Sequence, residues 1–190
     1  ILLRKVDCNL AVACEVSSQA GMIDVILMGR SQESIHIFVL EIKQWSEPGI
    51  FEAHGGEYIR AHVGGGNIRL TLHPLFQAHR YLRGLVNYNM YFEENNPSIE
   101  CVAFLPNVLT PDDSEISDPR FTVEEGQIVF GSTSNEFIDL LNEVLVDSVS
   151  TEELKTMIES PPGFTSAIIE QIRTMIEDPS NSLVPSGEQQ

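Results

Sequence analysis

Ile35-His36-Ile37-Phe38-Val39-Leu40-Glu41-Ile42-Lys43 is the stretch whose reading sets the fold. Side chains alternate between the two faces of a strand. Phe38, Leu40 and Ile42 therefore point one way, and Ile37, Val39, Glu41 and Lys43 the other. A strand apolar on both faces belongs in the middle of a covered sheet. Met22-Ile23-Asp24-Val25-Ile26-Leu27-Met28 just before it has the same character, with Asp24 its only charged member. A turn centred between Gln32 and Glu33 sets Arg30 opposite Ile35. Counting back along antiparallel strands then sets Asp24 across from Glu41.

Outward from this pair, Asn9 to Val16 reads as a preceding strand. Tyr58 to His62 and Asn67 to Leu72 flank Gly64, Gly65 and Gly66, a hairpin signature. Pro74 suits the first turn of a helix. Leu75, Ala78, Leu82, Leu85 and Val86 supply its buried stripe, and the pattern predicts a helix to about Phe92. Ile99 to Leu105 and Gln127 to Phe130 read as further strands. Helical patterns follow at Asn135 to Val146, Thr151 to Glu159 and Thr165 to Ile176. Ser150 with Glu153 resembles a capping box, and Pro161, Pro162 and Gly163 break the run. The expected fold is α/β: a mixed sheet, antiparallel at its start, with one parallel strand after the long helix and helices on both sides. Residues 1–132 form the main domain, 133–178 a helical extension, and 179–190 a linker. Ile1 at the start and the polar tail read as a piece cut from a longer polypeptide.

The chain has 190 residues, 42% of them hydrophobic, enough for a packed core. No stretch is long and apolar enough to span a bilayer. Cys8, Cys14 and Cys101 form no C-x-x-C pair, which argues against a thiolate zinc site and for reduced cysteines in a cytoplasmic protein. The formal net charge of −17 argues against gripping nucleic acid by bulk electrostatics alone. Much of the acid falls late, as in Asp112, Asp113, Glu115, Glu152, Glu153 and Glu177. Arg60, Arg69, Arg80 and Arg83 lie elsewhere.

Two carboxylates facing each other repel. A divalent cation between Asp24 and Glu41 removes that repulsion, and Mg²⁺ suits oxygen ligands while keeping several waters. The Ile42 carbonyl is a further candidate ligand, with Mn²⁺ a substitute ion. Glu15 on the preceding strand is a candidate for a second cation. Lys43 shares the face of Glu41. It could position a water, help deprotonate it, or stabilise transition-state charge.

Asp24 followed by Glu41-Ile42-Lys43 at the end of an apolar strand resembles the bipartite signature of PD-(D/E)XK nucleases. The continuation Gln44-Trp45-Ser46 is similar to a segment of NERD (nuclease-related) domains. It is closer still to the nuclease-like region ahead of a helicase module in a group of bacterial proteins, in which a His-Pro-x-x-Gln-Ala segment follows. That segment is here His73, Pro74, Gln77 and Ala78. Ile23 stands where the signature often has proline. Gln77 and Tyr81 share a helix face and resemble the Q-x-x-x-Y element of RecB-like nucleases. The resemblance, strongest from Val12 to Leu85, implies a restriction-endonuclease-like fold. It implies Mg²⁺-dependent hydrolysis of DNA, with RNA second. Asp24, Glu41, Lys43 and Gln77 would be catalytic, and Gln77, Tyr81, His73 and Arg80 would contact substrate. It also implies a helicase or ATPase module beyond Gln190 and a setting in defence or repair.

Blander readings stand beside these. Glu41 and Lys43 could be a structural ion pair, Tyr81 a packing residue and Gln77 a surface amide. Trp45 reads as packing, His36, His54 and His62 as ordinary polar residues, and His79, two positions from Gln77, as lying on a different helix face. The three glycines form a turn and not a phosphate loop, since no Gly-Lys-Ser/Thr follows. Leu140, Leu141 and Val144 read as core or an interface stripe. A non-catalytic nuclease-fold module binding nucleic acid or protein, or an oligomeric scaffold, are the alternatives.

Overall fold

A computed structural model describes residues 5–6, 10–32, 34–45, 50–53, 56–63, 67–109 and 115–177. Cys8, Ser46, His54, Gly64, Gly65, Gly66, Asp112, Asp113 and the 179–190 linker lie outside the described residues.

The strands are β1 (Ala11–Ser18), β2 (Gly21–Arg30), β3 (Ile35–Ile42), β4 (Ile50–Ala53), β5 (Tyr58–Val63), β6 (Asn67–Leu72), β7 (Ser98–Leu105) and β8 (Gly126–Phe130). The helices are α1 (Pro74–Tyr88), α2 (Met90–Asn95), α3 (Ser134–Val144), α4 (Thr151–Ile158) and α5 (Ser166–Glu177). The chain is α/β with a mixed five-stranded sheet ordered β1-β2-β3-β7-β8. β1, β2 and β3 run antiparallel, and β7 joins β3 in parallel. β3 sits at the centre, as its two apolar faces require. The β2–β3 register runs from Arg30↔Ile35 to Val25↔Leu40.

One face of β3 carries Ile37 and Val39 into a core with Leu75, Ala78, Leu82 and Leu85 of α1. The other carries Phe38 and Leu40 into a second core with Phe137 and Leu141 of α3. Phe38 and Phe137 meet edge to face at 6.2 Å. The spacing of 75, 78, 82 and 85 puts four apolar side chains on one side of α1. Fully burying a residue such as Leu82 contributes about 1.5–3 kcal/mol.

Four features differ from the sequence reading. α1 stops at Tyr88, because Asn89 turns extended (φ −110°, ψ 117°) and caps α2 through its side chain. β8 pairs in parallel with β7, so two parallel strands follow α1 rather than one. β4 went unread, and it joins β5 and β6 in a separate three-stranded sheet. The helices after residue 132 cover the sheet itself. Phe137 and Leu141 complete one core, and Leu154 and Met157 of α4 join the other. No helix among the described residues is long and apolar enough to cross a membrane.

Candidate active site

The β2–β3 ladder ends at Val25↔Leu40, and the next step of the same register sets Asp24 against Glu41. There the backbone pairing gives way to a side-chain bond. Asp24 Oδ2 accepts the Ile42 N–H at 2.8 Å. An extended residue sends its N–H and C=O to the same side, so the Ile42 carbonyl also faces the Asp24 side. Lys43 N–H bonds the Phe104 carbonyl at 3.0 Å, which holds the end of β3 to β7.

Glu41 is only 2% exposed, in line with Ile37 and Val39 on the α1 side of the sheet. The Lys43 ammonium bonds its Oε1. Its Oε2 is buried with no hydrogen-bond partner among the described residues. Burial pushes the Glu41 carboxyl above its ordinary range. The bond and charge of Lys43 pull it back, and the negative charge of Asp24 adds to the rise. The Lys43 side chain is 23% exposed, with its nitrogen 5.9 Å from the centre of the buried Trp45 ring. Trp45 is thus a packing residue beneath a cation.

A local irregularity marks this level of the sheet. Val25 and Leu27 join the α3-side core, and Ile26 and Met28 the α1-side core, in regular alternation. Ile23 also joins the α1-side core, so the alternation slips by one at Asp24. Directly across, between the Cys14↔Val25 and Val16↔Ile23 pairs, Glu15 adopts a positive φ of 53°. Such a conformation is uncommon for a side-chain-bearing residue and clusters at working sites. Sequence reasoning missed it. Its one available signal was a lone acid inside a strand, opposite another acid.

By chemical type, one oxygen of a buried carboxylate, a second carboxylate and a backbone carbonyl would suit a hard, water-retaining cation. Glu15 is exposed, and no cluster of three His, Cys, Asp or Glu side chains suited to a metal occurs among the described residues. The expected second cation at Glu15 therefore has no support in the geometry.

The α1 residues divide. Gln77 Nε2 donates to Tyr81 Oη at 2.8 Å, so the pair shares a face. Gln77, Arg80 and Tyr81 form one wall of a cleft of about 420 Å³, and Tyr58, Leu70 and Leu72 form the other. Asp24, Glu41 and Lys43 do not line that cleft. Tyr81 is 9% exposed and its ring packs in the α1-side core, so its hydroxyl end meets the cleft while its body fills space. Arg80 pairs with Glu57 at 2.7 Å. His73 is corrected: it is fully buried and does not reach substrate. Its Nδ1 caps α1 by accepting the Leu75 N–H, its Nε2 bonds the Ile116 carbonyl, and its ring stacks on Phe121 at 4.1 Å. Burial pulls its pKa down to about 4.

Cys101 is buried, its thiol pushed up to about 12 by burial; Cys14 is exposed and free. No protein-family model, curated protein or solved structure matches the chain.

Proposed function

We propose that the chain is a divalent-metal-dependent phosphodiesterase that hydrolyses nucleic acid, DNA before RNA, with Asp24, Glu41 and Lys43 as its reactive centre. The observation that carries this reading is the Glu41 Oε2 atom, buried without a partner among the described residues and under the charge of a second acid. A half-satisfied buried carboxylate is costly, and such groups concentrate at functional sites. A Lys43 ion pair alone accounts for one oxygen and leaves the other.

Asp24, Glu41 and the Ile42 carbonyl would hold Mg²⁺ or Mn²⁺. Bound there, the cation would supply charge against a phosphoryl oxygen and make a bound water more acidic. The chain's own residues do the rest. The Asp24–Ile42 bond fixes the Asp24 carboxylate at the ladder's end. Lys43 keeps its ammonium within reach of solvent, able to orient a water or steady charge on the reacting phosphate. Gln77 and Tyr81 share a hydrogen bond on the wall of the cleft, where they would position a strand. The sequence resemblance extends the reading to a restriction-endonuclease-like fold and to a helicase or ATPase module on the same polypeptide.

One observation favours a second reading, a folded but non-catalytic binding module. Asp24 and Glu41 each already spend an oxygen on the protein, and the chain carries a net charge of −17. Calorimetric titration with Mg²⁺ and Mn²⁺, beside cleavage of linear and circular DNA, separates the two. The nuclease reading requires binding and cleavage that both vanish in Glu41→Ala. A wild-type chain that takes up neither ion belongs to the second reading.

A further inference from the structure

β5 turns one face to the core and the other to the open, and β6 is exposed from Asn67 to Leu70. Residues directly opposite each other on paired strands share a face. Ile59 and Ala61 are fully buried in the α1-side core, which fixes the inner face of β5. The pairs Tyr58↔Leu72 and Arg60↔Leu70 therefore lie on the outer face, and Ile68 follows on β6. Leu70 is 53% and Ile68 45% exposed, and Arg60 is exposed. Tyr58, Leu70 and Leu72 continue from this face into the cleft beside Gln77 and Arg80.

An open apolar face needs an occupant, and charge indicates which. The whole chain holds 28 acidic residues, yet between Glu57 and Glu93 it has none, while Arg60, Arg69, Arg80 and Arg83 fall there. Arg60 sits on the outer face and Arg80 on the cleft wall, and neither Arg69 nor Arg83 lines the cleft. Glu57 is the local acid and holds Arg80. An aromatic ring and aliphatic side chains flanked by guanidinium groups match unstacked bases on a phosphate backbone. A duplex hides its bases by stacking and offers this face only phosphate.

We infer that the outer face of β5–β6 and the adjoining cleft bind single-stranded nucleic acid, with bases against Tyr58 and Leu70 and phosphates against Arg60 and Arg80. A phosphate entering the cleft competes with Glu57 for Arg80. The inference deepens the proposed function and rests on it for where the strand goes next.

The test is fluorescence anisotropy of labelled oligothymidylate, oligouridylate and a DNA duplex of equal length. The whole chain is used, in chelator, so that cleavage plays no part. The single strands should bind more tightly than the duplex, and the two sugars' arms tell DNA from RNA. Tyr58→Ala should weaken single-strand binding by about tenfold, the scale of one lost base stack. Arg60→Glu should weaken it similarly and flatten the dependence of affinity on salt, a readout that a merely structural role leaves unmoved. Thermal melts establish that both variants fold; if Tyr58→Ala does not, the exposed Leu70→Ser replaces it. Absent wild-type binding, equal binding of duplex, or unchanged affinity and salt slope in both variants overturns the inference. Cleavage that depends on Glu41 but ignores Arg60 would retain the nuclease and sink the platform. Arg60-dependent binding without any cleavage would do the reverse.

Discussion

Asp24 Oδ2 accepts the Ile42 N–H at 2.8 Å at the step where the β2–β3 ladder ends. The side chain replaces the backbone carbonyl that a regular ladder would supply. One carboxylate oxygen thus has a structural duty, and the negative charge of the group is felt by Glu41.

The two duties separate by substitution. Asp24→Asn keeps a carbonyl oxygen for the Ile42 N–H and loses the negative charge. Asp24→Ala loses both and leaves a part-buried N–H unsatisfied, at a cost of about 1–2 kcal/mol. In urea denaturation Asp24→Asn should stay near wild type and Asp24→Ala fall below it by that amount. Both should lose Mg²⁺ binding and DNA cleavage. An Asp24→Asn chain that cleaves normally would remove Asp24 from the centre.

Glu41 should make the site sensitive to pH. Its folded pKa is raised, chiefly by burial. The native state therefore holds the proton more tightly than the unfolded chain. The stability this gives is present below the ordinary value of 4.5 and is lost as pH rises through the folded pKa. Glu41→Gln should accordingly melt higher than wild type at neutral pH without metal, with the gap closing below pH 4.5. Mg²⁺ should raise the melting temperature of wild type only, and increasingly so as pH climbs. A gap that widens in acid refutes the assigned burial cost.

His73 predicts a second acid limb of opposite sign. Its folded pKa of about 4 lies below the ordinary 6.5, because burial disfavours the imidazolium. Stability from the neutral ring is present above 6.5 and lost as pH falls through 4, a span worth about 3 kcal/mol. His73→Gln should flatten this limb while weakening the fold at neutral pH, since it removes the stack on Phe121. Specific activity per folded molecule should hold, as a buried helix cap requires. Denaturation at pH 7 and pH 4.5 reads the first effect.

The central pairing was legible because β2 and β3 are strongly apolar and a short turn joins them. That combination fixes a register, and Arg30↔Ile35 carries Asp24 to Glu41. α1 was legible from Pro74 and the 75, 78, 82, 85 stripe, but its end was not. Asn89 breaks the run by bonding across to the Met157 carbonyl, a partner distant in sequence. β4 is four residues long, too short for alternation to announce it. The parallel pairing of β8 depends on packing against β7 and α3, which no local pattern encodes. At the site, composition and spacing gave the three charged residues. The slip of alternation at Asp24 and the positive φ of Glu15 are cooperative features of two strands. His73 caps α1 through its ring nitrogen although histidine is not among the usual capping residues, so its role had no sequence signal.

Lys43 offers the sharpest division between structure and chemistry. Its ammonium is the partner of one Glu41 oxygen, and Glu41 is otherwise buried. Lys43→Ala leaves that carboxylate with no cation. Breaking a buried pair costs 3–5 kcal/mol, and the partial exposure of Lys43 reduces this to about 2 kcal/mol. A divalent ion binds a carboxylate freed from its competitor more readily. Lys43→Ala should therefore be less stable than wild type without metal and gain more from Mg²⁺ in a thermal melt. Cleavage should still disappear, because the group that orients water or steadies charge has gone. A purely structural lysine makes the contrary prediction: metal restores both the melting temperature and the cleavage rate of Lys43→Ala.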